Sequence, residues 1–389
     1  MEAVVGFLIR RERLRREWSQ AGLCRGICAV SYLSKIEQGK VSASEEVLRR
    51  LAQRLELPWY GGTAALAEAG AQIERLYEAL LYLDQPALER EKPLFAADME
   101  RLAFSPYAVD AALLKRALFD DAAALPETEM EPYMDARQLA LLRIFQGRFD
   151  EAIRLYPHAY CHFCAGADAY ASGESYAVAL AHLQRGYDLA ARDGAAWLML
   201  QCRLLMGNCF CNQLELEHMQ AEYGAAARLA TALRDTSSLR HIAYNTASAQ
   251  LEAGQYDEAY AYFSRLEQPT AMELHKLAIC CEKTGRNGQA LAAIDAARHL
   301  LDGAAEGPVA ETICAVVRFR LEHPDYLQRL EYGRLLLDCF DACRQNLPIG
   351  YASFHLPWVV EWYTANRQYK QAFELLKSFP IKINILCIN

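Results

Sequence analysis

The chain predicts an all-α protein in which a small N-terminal helical bundle precedes an α-solenoid. Three observations carry this reading. Between Ser19 and Gly39, apolar residues fall at helical spacing on two short segments either side of Gly26. Beyond Thr63 a helical apolar period runs almost to the end of the chain. That second region also resembles itself at a period of roughly 34 residues, the mark of stacked helix pairs. With 389 residues, 53% of them hydrophobic, the chain can bury a large core, and its composition excludes a disordered or collagen-like polymer.

Element by element, Ser19 is placed to cap the first short helix, with Leu23 and Cys24 pointing inward one turn later. Gly26 lets the chain reverse, Cys28 fills the core, and Tyr32, Leu33 and Ile36 repeat on the second helix. Val30, Ser31, Ser34 and Lys35 are left facing outward, and small or cationic groups on an exposed helix suit the DNA major groove. Ser42 followed three residues later by Glu45 reads as a capping box, with Val47, Leu48, Leu51, Ala52 and Leu55 forming the apolar face of a further helix. Pro58 to Thr63 breaks the pattern, so the boundary falls there: residues 1–62 form the head and its linker, and 63–389 the body, with Thr63 expected to cap the next helix. Charge divides the same way. Residues 1–57 hold 11 Lys and Arg against 7 Asp and Glu, whereas the whole chain has a net charge of −8. A basic head on an acidic body is expected if only the head approaches phosphates. The cluster Arg10, Arg11, Arg13, Arg15 and Arg16 contributes to that balance, and serves equally as the solvated face of a first helix.

Ser19-Gln20, the turn Gly26-Ile27-Cys28 and the helix from Ser31 to Glu37 resemble the helix-turn-helix of phage-repressor (XRE) type. The variant is most similar to that of the Rgg- and PlcR-like peptide-pheromone regulators of the RRNPP group, over residues 5–57. The resemblance implies that Gln20 touches a phosphate, that Val30, Ser31 and Lys35 face base edges, and that Arg13 and Glu37 pair inward to tie the first helix to the third. With Tyr32, Ser34 and Lys40 these make up the candidate DNA-binding set. Ala29 departs from the family, which usually has a capping Ser or similar residue there, and a lost cap costs about 1 kcal/mol.

In the body, repeat-like units are visible around Leu141 to Tyr156, Gly207 to Tyr223, Tyr244 to Phe263, Ala278 to Ala297 and, in degenerate form, Trp362 to Leu376. A small residue in the first helix, a Gly near the turn, an aromatic two positions on and an Ala where helices cross resemble tetratricopeptide repeats. Such pairs stack with their first helices lining a concave surface, which fits an extended peptide. The repeat phase puts Gln201, Asn208, Asn212, His241, Tyr244, Asn245, Ser248, His275, Glu282 and Arg318 on that inner face. Asn offers both a donor and an acceptor to a peptide backbone, and the resembled regulators hold their peptides with such residues, which makes Asn208, Asn212 and Asn245 the leading candidates.

His158, Cys161, His162 and Cys164 share one window, but no second ligand pair follows at zinc-site spacing, so no metal is expected. Neither a phosphate loop nor a nucleophile elbow is present, and the reading is of a non-enzyme without a cofactor. No apolar run spans a membrane, the N-terminus lacks a signal-peptide pattern, and the 13 cysteines are scattered as in a reducing compartment, so a cytoplasmic protein without membrane contact is expected. The tail from Ile381 to Ile388 is β-prone and has no assigned role. Taken together, these features predict a homodimeric transcription regulator that reads a double-stranded DNA operator under the control of a short signalling peptide. The competing readings are a tetratricopeptide scaffold, or a phosphatase-like regulator of a response regulator, in which the head does not read DNA.

Overall fold

In the computed structural model, residues 2–60, 62–121, 126, 128–173, 175–301, 307–347 and 349–378 are described, and every regular element among them is helical. They form two compact units. One comprises the residues up to Gly166 together with His182–Cys202, the other Ala167–Ala181 together with the residues from Arg203 onward.

The first unit opens with α1 (Glu2–Arg15), α2 (Gln20–Cys24), α3 (Val30–Glu37) and α4 (Glu45–Arg54). Val5, Leu8, Ile9, Leu23, Leu33, Ile36, Leu51 and Leu55 are all but inaccessible between them. Gly6 is required where α1 crosses α3, because a Cβ there would run into the backbone carbonyl oxygen of Ile36. The capping expectation at Ser42 is corrected. Ser44 is the cap, its Oγ accepting from the Val47 amide at 3.4 Å, and the Glu45 carboxylate instead accepts from the Gly62 amide at 2.8 Å. A start at Glu45 puts Glu45 and Glu46 in the first turn, where the helix dipole favours them. Likewise Thr63 is the first residue of α5 (Thr63–Leu81) and Gly62 precedes it as a cap without a side chain.

After α5 come α6 (Gln85–Leu102), α7 (Ala108–Phe119), a 3-10 turn at Thr128–Tyr133, α8 (Ala136–Phe145) and α9 (Phe149–Leu155). The core of the head runs without interruption through Tyr60 into Ile73, Leu76, Tyr77, Phe95, Leu113 and Leu142. The core therefore continues past the Pro/Gly punctuation that begins at Pro58. At the α5, α7 and α8 junction, buried Asp110 accepts on one oxygen, Oδ1, from Tyr77 Oη at 2.8 Å and Gln138 Nε2 at 2.7 Å. Burial raises its pKa, against the lowering effect of those two bonds. The folded state thus binds this proton more tightly than the unfolded chain, so Asp110 adds stability as pH falls through its folded-state pKa and loses it as pH rises. Asp110→Asn keeps Oδ1. The melting midpoint of the parent, relative to this variant, is expected to rise between about pH 7 and about pH 4, and a difference independent of pH refutes the assignment.

Next in the chain are α10 (Ala159–Ser172), α11 (Tyr176–Asp193) and α12 (Ala196–Asn212), each contributing to both units. The second unit continues with α13 (Leu216–Leu233), α14 (Thr236–Glu252), α15 (Tyr256–Phe263), α16 (Ala271–Lys283), α17 (Asn287–Leu301), α18 (Gly307–Glu322), α19 (Leu330–Asn346), α20 (Ile349–Ala365) and α21 (Tyr369–Ser378). Within it, each helix packs on its sequence neighbour, while α14, α16 and α18 also touch in succession, as first helices of stacked repeats do. Gly254, with φ 81°, makes the α14/α15 turn, and Ala259 and Ala290 are wholly buried at helix crossings, as the repeat pattern predicts. Two further pairs, α10/α11 and α18/α19, carry no repeat signature that the sequence reading found. At the first, the aromatic Tyr176 comes three residues after Gly173 instead of two; at the second, the turn has no glycine. The Ile381–Ile388 tail lies outside the described residues. No helix among the described residues is long and apolar enough to cross a membrane.

Candidate functional site

In the head, Arg13 and Glu37 are buried and paired twice, Nε to Oε1 at 2.7 Å and Nη2 to Oε2 at 2.9 Å. Arg13 Nη1 also donates to the Trp18 carbonyl at 2.7 Å. Gln20 Nε2 donates to Glu37 Oε2 at 2.8 Å. That bond uses one of the two Nε2 hydrogens, leaving the other for a phosphate contact. Arginines of α4 fix the turn: Arg54 Nη1 donates to the carbonyls of Leu23 at 2.8 Å and Arg25 at 2.5 Å, and Arg50 Nη2 to that of Gly26 at 3.0 Å. These satisfy carbonyls left over at the end of α2. Arg50 and Arg54 were not singled out in the sequence, because a cation on a surface helix carries no mark of its target.

Ser19 Oγ caps α2 by accepting from the Gly22 amide at 3.0 Å, whereas Ala29 leaves α3 without a side-chain cap. Val30, Ser31, Lys35 and Lys40 are exposed, and Tyr32 and Ser34 are half-buried, with Tyr32 Oη near the Ser42 carbonyl at 3.5 Å and Ser34 Oγ accepting from Gln38. The first-helix arginines are partly neutralised. Buried Glu12 gathers Arg11, Arg15 and Arg16 at 3.0–3.1 Å.

In the second unit, three of the residues expected on the inner face, Asn208, His241 and Asn245, come together with Tyr223 around one oxygen. Tyr223 Oη donates to Asn208 Oδ1 at 2.6 Å, and Asn245 Nδ2 lies 3.0 Å from Asn208 Oδ1, 3.0 Å from Tyr223 Oη and 2.8 Å from His241 Nε2. Burial lowers the His241 pKa, which favours the neutral ring as a partner for Asn245. The network consumes the acceptor end of Asn208 and the donor end of Asn245. Asn208 Nδ2 and Asn245 Oδ1 make no hydrogen bond among the described residues, so a donor and an acceptor are left over on neighbouring first helices. Tyr223, from the second helix α13, was missed because repeat phase assigns only first helices to the inner face. Gly207 makes room for its ring, which a Cβ there would strike.

Asn212 Nδ2 donates to Tyr176 Oη at 3.0 Å and approaches Tyr170 Oη at 3.5 Å. Tyr244 is half-buried and packs edge-on against Phe263. Gln201, half-buried, belongs to the first unit. Arg318 is committed to Asp295 at 2.6 Å and Glu322 at 2.7 Å, and Glu282 accepts from Arg320 at 2.9 Å. Ser248 and His275 are buried, at 7% and 1% exposure, and not displayed on a surface. Two cations escaped the sequence reading. Buried Lys276 lies over the Tyr244 and Phe354 rings and forms no ion pair among the described residues, and burial lowers its pKa. Buried Arg320 lies over Trp358, with Nη1 and Nη2 unpartnered. Of the histidine and cysteine window, His158 Nδ1 accepts from the Tyr160 amide, His162 pairs with His182, and burial pushes the Cys161 and Cys164 thiols up to about 11 and about 12.

Residues 4–59 match the family described as helix-turn-helix domain. Over 283 residues the chain is 25% identical to the transcriptional activator NprA of Geobacillus stearothermophilus, a match spanning 62% of this chain and 66% of that one. Among solved structures, the apo form of the quorum sensor NprR from B. thuringiensis is similar with a TM-score of 0.58 at 15% identity, covering 80% of this chain and 99% of that one. A Rap protein complexed with competence and sporulation factor gives a TM-score of 0.50 at 15% identity, covering 80% and 96%. Residues 4–59 thus carry a helix-turn-helix domain, and the chain shares the helical fold of NprR and the Rap protein.

Proposed function

We propose that residues 1–62 read an operator in double-stranded DNA, and that residues 63–389 bind a short peptide that controls this reading in a cytoplasmic homodimer. The observation that carries the peptide reading is the pair of unused amide ends. Asn208 Nδ2 and Asn245 Oδ1 offer a donor and an acceptor, matching the carbonyl and amide of an extended backbone. The name of the similar NprA, a transcriptional activator, supports a regulator and not an enzyme. Dimerisation follows from the few base pairs one recognition helix can read, which require paired half-sites one helical turn or a multiple of it apart.

Electrophoretic shifts on genomic fragments, competed with nonspecific DNA, identify the operator and separate this reading from a scaffold. Lys35→Ala with Ser31→Ala is expected to weaken operator binding by about 1–3 kcal/mol more than binding to random DNA. Equal operator affinity at the same salt would displace the recognition surface from α3. Operator affinity is also expected to change when the cognate peptide, recovered by mass spectrometry from the purified chain, is added, since a ligand shifts an equilibrium by its differential affinity for the two states.

A further inference from the structure

The helices α19 and α20 hold a cluster that neither DNA reading nor peptide binding uses. Cys339 and Cys343 stand one turn apart on α19, and His355 faces them from α20; the two sulfurs and one imidazole nitrogen lie within 4.8 Å of one another. All three residues are sealed from solvent, with exposures of 0%, 0% and 1%. His355 Nδ1 is bound at 2.8 Å to the Tyr351 carbonyl, so Nδ1 carries the proton and Nε2 presents a lone pair, and that Nε2 makes no hydrogen bond. A backbone carbonyl holding the far nitrogen of a histidine in this way is how proteins orient an imidazole toward a metal ion.

Cysteine packed as a small hydrophobe is the ordinary alternative. Its mark is a thiol pushed up by burial, and Cys209, Cys280 and Cys314 show it, reaching about 12, about 12 and about 11. Cys339 and Cys343 are set apart by their arrangement, since both sulfurs lie within 4.8 Å of a buried imidazole nitrogen that has no hydrogen-bond partner. One ring further out, His275 on α16 is 1% exposed, stacks on His355 with ring centroids 6.3 Å apart, and leaves both ring nitrogens unpartnered.

We propose that Cys339, Cys343 and His355 bind one zinc ion, with His275 turning in as the fourth ligand. Two thiolates cancel the charge of a divalent ion, so the complex is neutral, as an apolar pocket lined by Leu336, Phe340, Ala352 and Leu356 demands. Zn–S bonds of about 2.3 Å place tetrahedral sulfurs nearly 4 Å apart, inside the 4.8 Å that bounds the ligand atoms here. Binding displaces the two thiol protons to solvent and locks α16, α19 and α20 together.

The test uses the full chain, reduced, stripped with a chelator, desalted and loaded with zinc alone. One zinc per chain is expected after gel filtration, with a raised melting midpoint. Cobalt in its place is expected to give the thiolate-to-metal charge-transfer band of two sulfur ligands. Cys339→Ser with Cys343→Ser, and separately His355→Gln, abolish retention, while Cys209→Ser retains it. His275→Gln is expected to keep the cobalt band and lose at least about tenfold in zinc affinity. The proposal is overturned if the stripped parent holds no more zinc than the double cysteine variant, if it takes up cuprous ion but not zinc, or if the cobalt band is absent from the folded parent. Unchanged zinc affinity in His275→Gln removes that residue from the site.

Discussion

Glu37→Ala lowers the melting midpoint of the full chain and abolishes operator binding, the largest effect expected of any single change in the head. Arg13, buried beside it, keeps its charge but loses both charge-assisted bonds, and breaking a buried pair from one side costs about 3–5 kcal/mol. Gln20 loses its partner in the same step, so the start of α2 and the end of α3 are released together. Recognition fails as well, because α3 is positioned by this pair and by Gly6. Arg13→Leu combined with Glu37→Leu removes the stranded charge and is expected to recover much of the lost stability. A parent-like midpoint for Glu37→Ala alone would show that the pair contributes nothing.

Asn208→Ala should be nearly as damaging, and to two properties at once. Its Oδ1 takes the hydrogen bond of Tyr223, so truncation strands that buried hydroxyl at about 1–3 kcal/mol, while Asn245 keeps Tyr223 Oη and His241 Nε2. At 9% exposure Asn208 is nearly buried, so its loss is expected to reach the fold as well as the groove. Asn245→Ala removes a half-buried donor whose partners retain other contacts, and so should lower peptide affinity with a smaller loss of stability. Titration calorimetry with the cognate peptide, paired with melts of each variant, distinguishes the two. Unaltered peptide affinity in both variants would take the amides out of the binding site.

The head was legible because its constraints are local. A cap at Ser19, a reversal at Gly26 with φ 71°, and apolar residues at helical spacing all act within a few residues, and each fell where expected. The capping box failed by two residues because Ser42 and Ser44 offer the same hydroxyl, and only the path of the chain before α4 chooses between them. Repeat phase found Asn208, His241 and Asn245 on neighbouring first helices but not that they bond to one another, since their mutual distance depends on how α12 and α14 stack. Lys276, Arg320 and Tyr223 were illegible for a similar reason. A lone cation or tyrosine in a helix looks the same whether it meets water or an aromatic ring.

The uninterrupted interior joining α1–α4 to α5–α8 has a consequence for the operators this chain can serve. A head on a slack tether could reach half-sites at many separations; one sharing its interior with the next four helices has no play. Each base pair inserted between half-sites moves one of them by about 3.4 Å and rotates it by about 35° around the duplex. In a dimer built from such heads the misfit cannot be absorbed locally and must be taken up by the subunit contact or by twisting the DNA. Promoters would then be sorted by spacer length as strictly as by base sequence, the protein serving as a ruler as well as a reader.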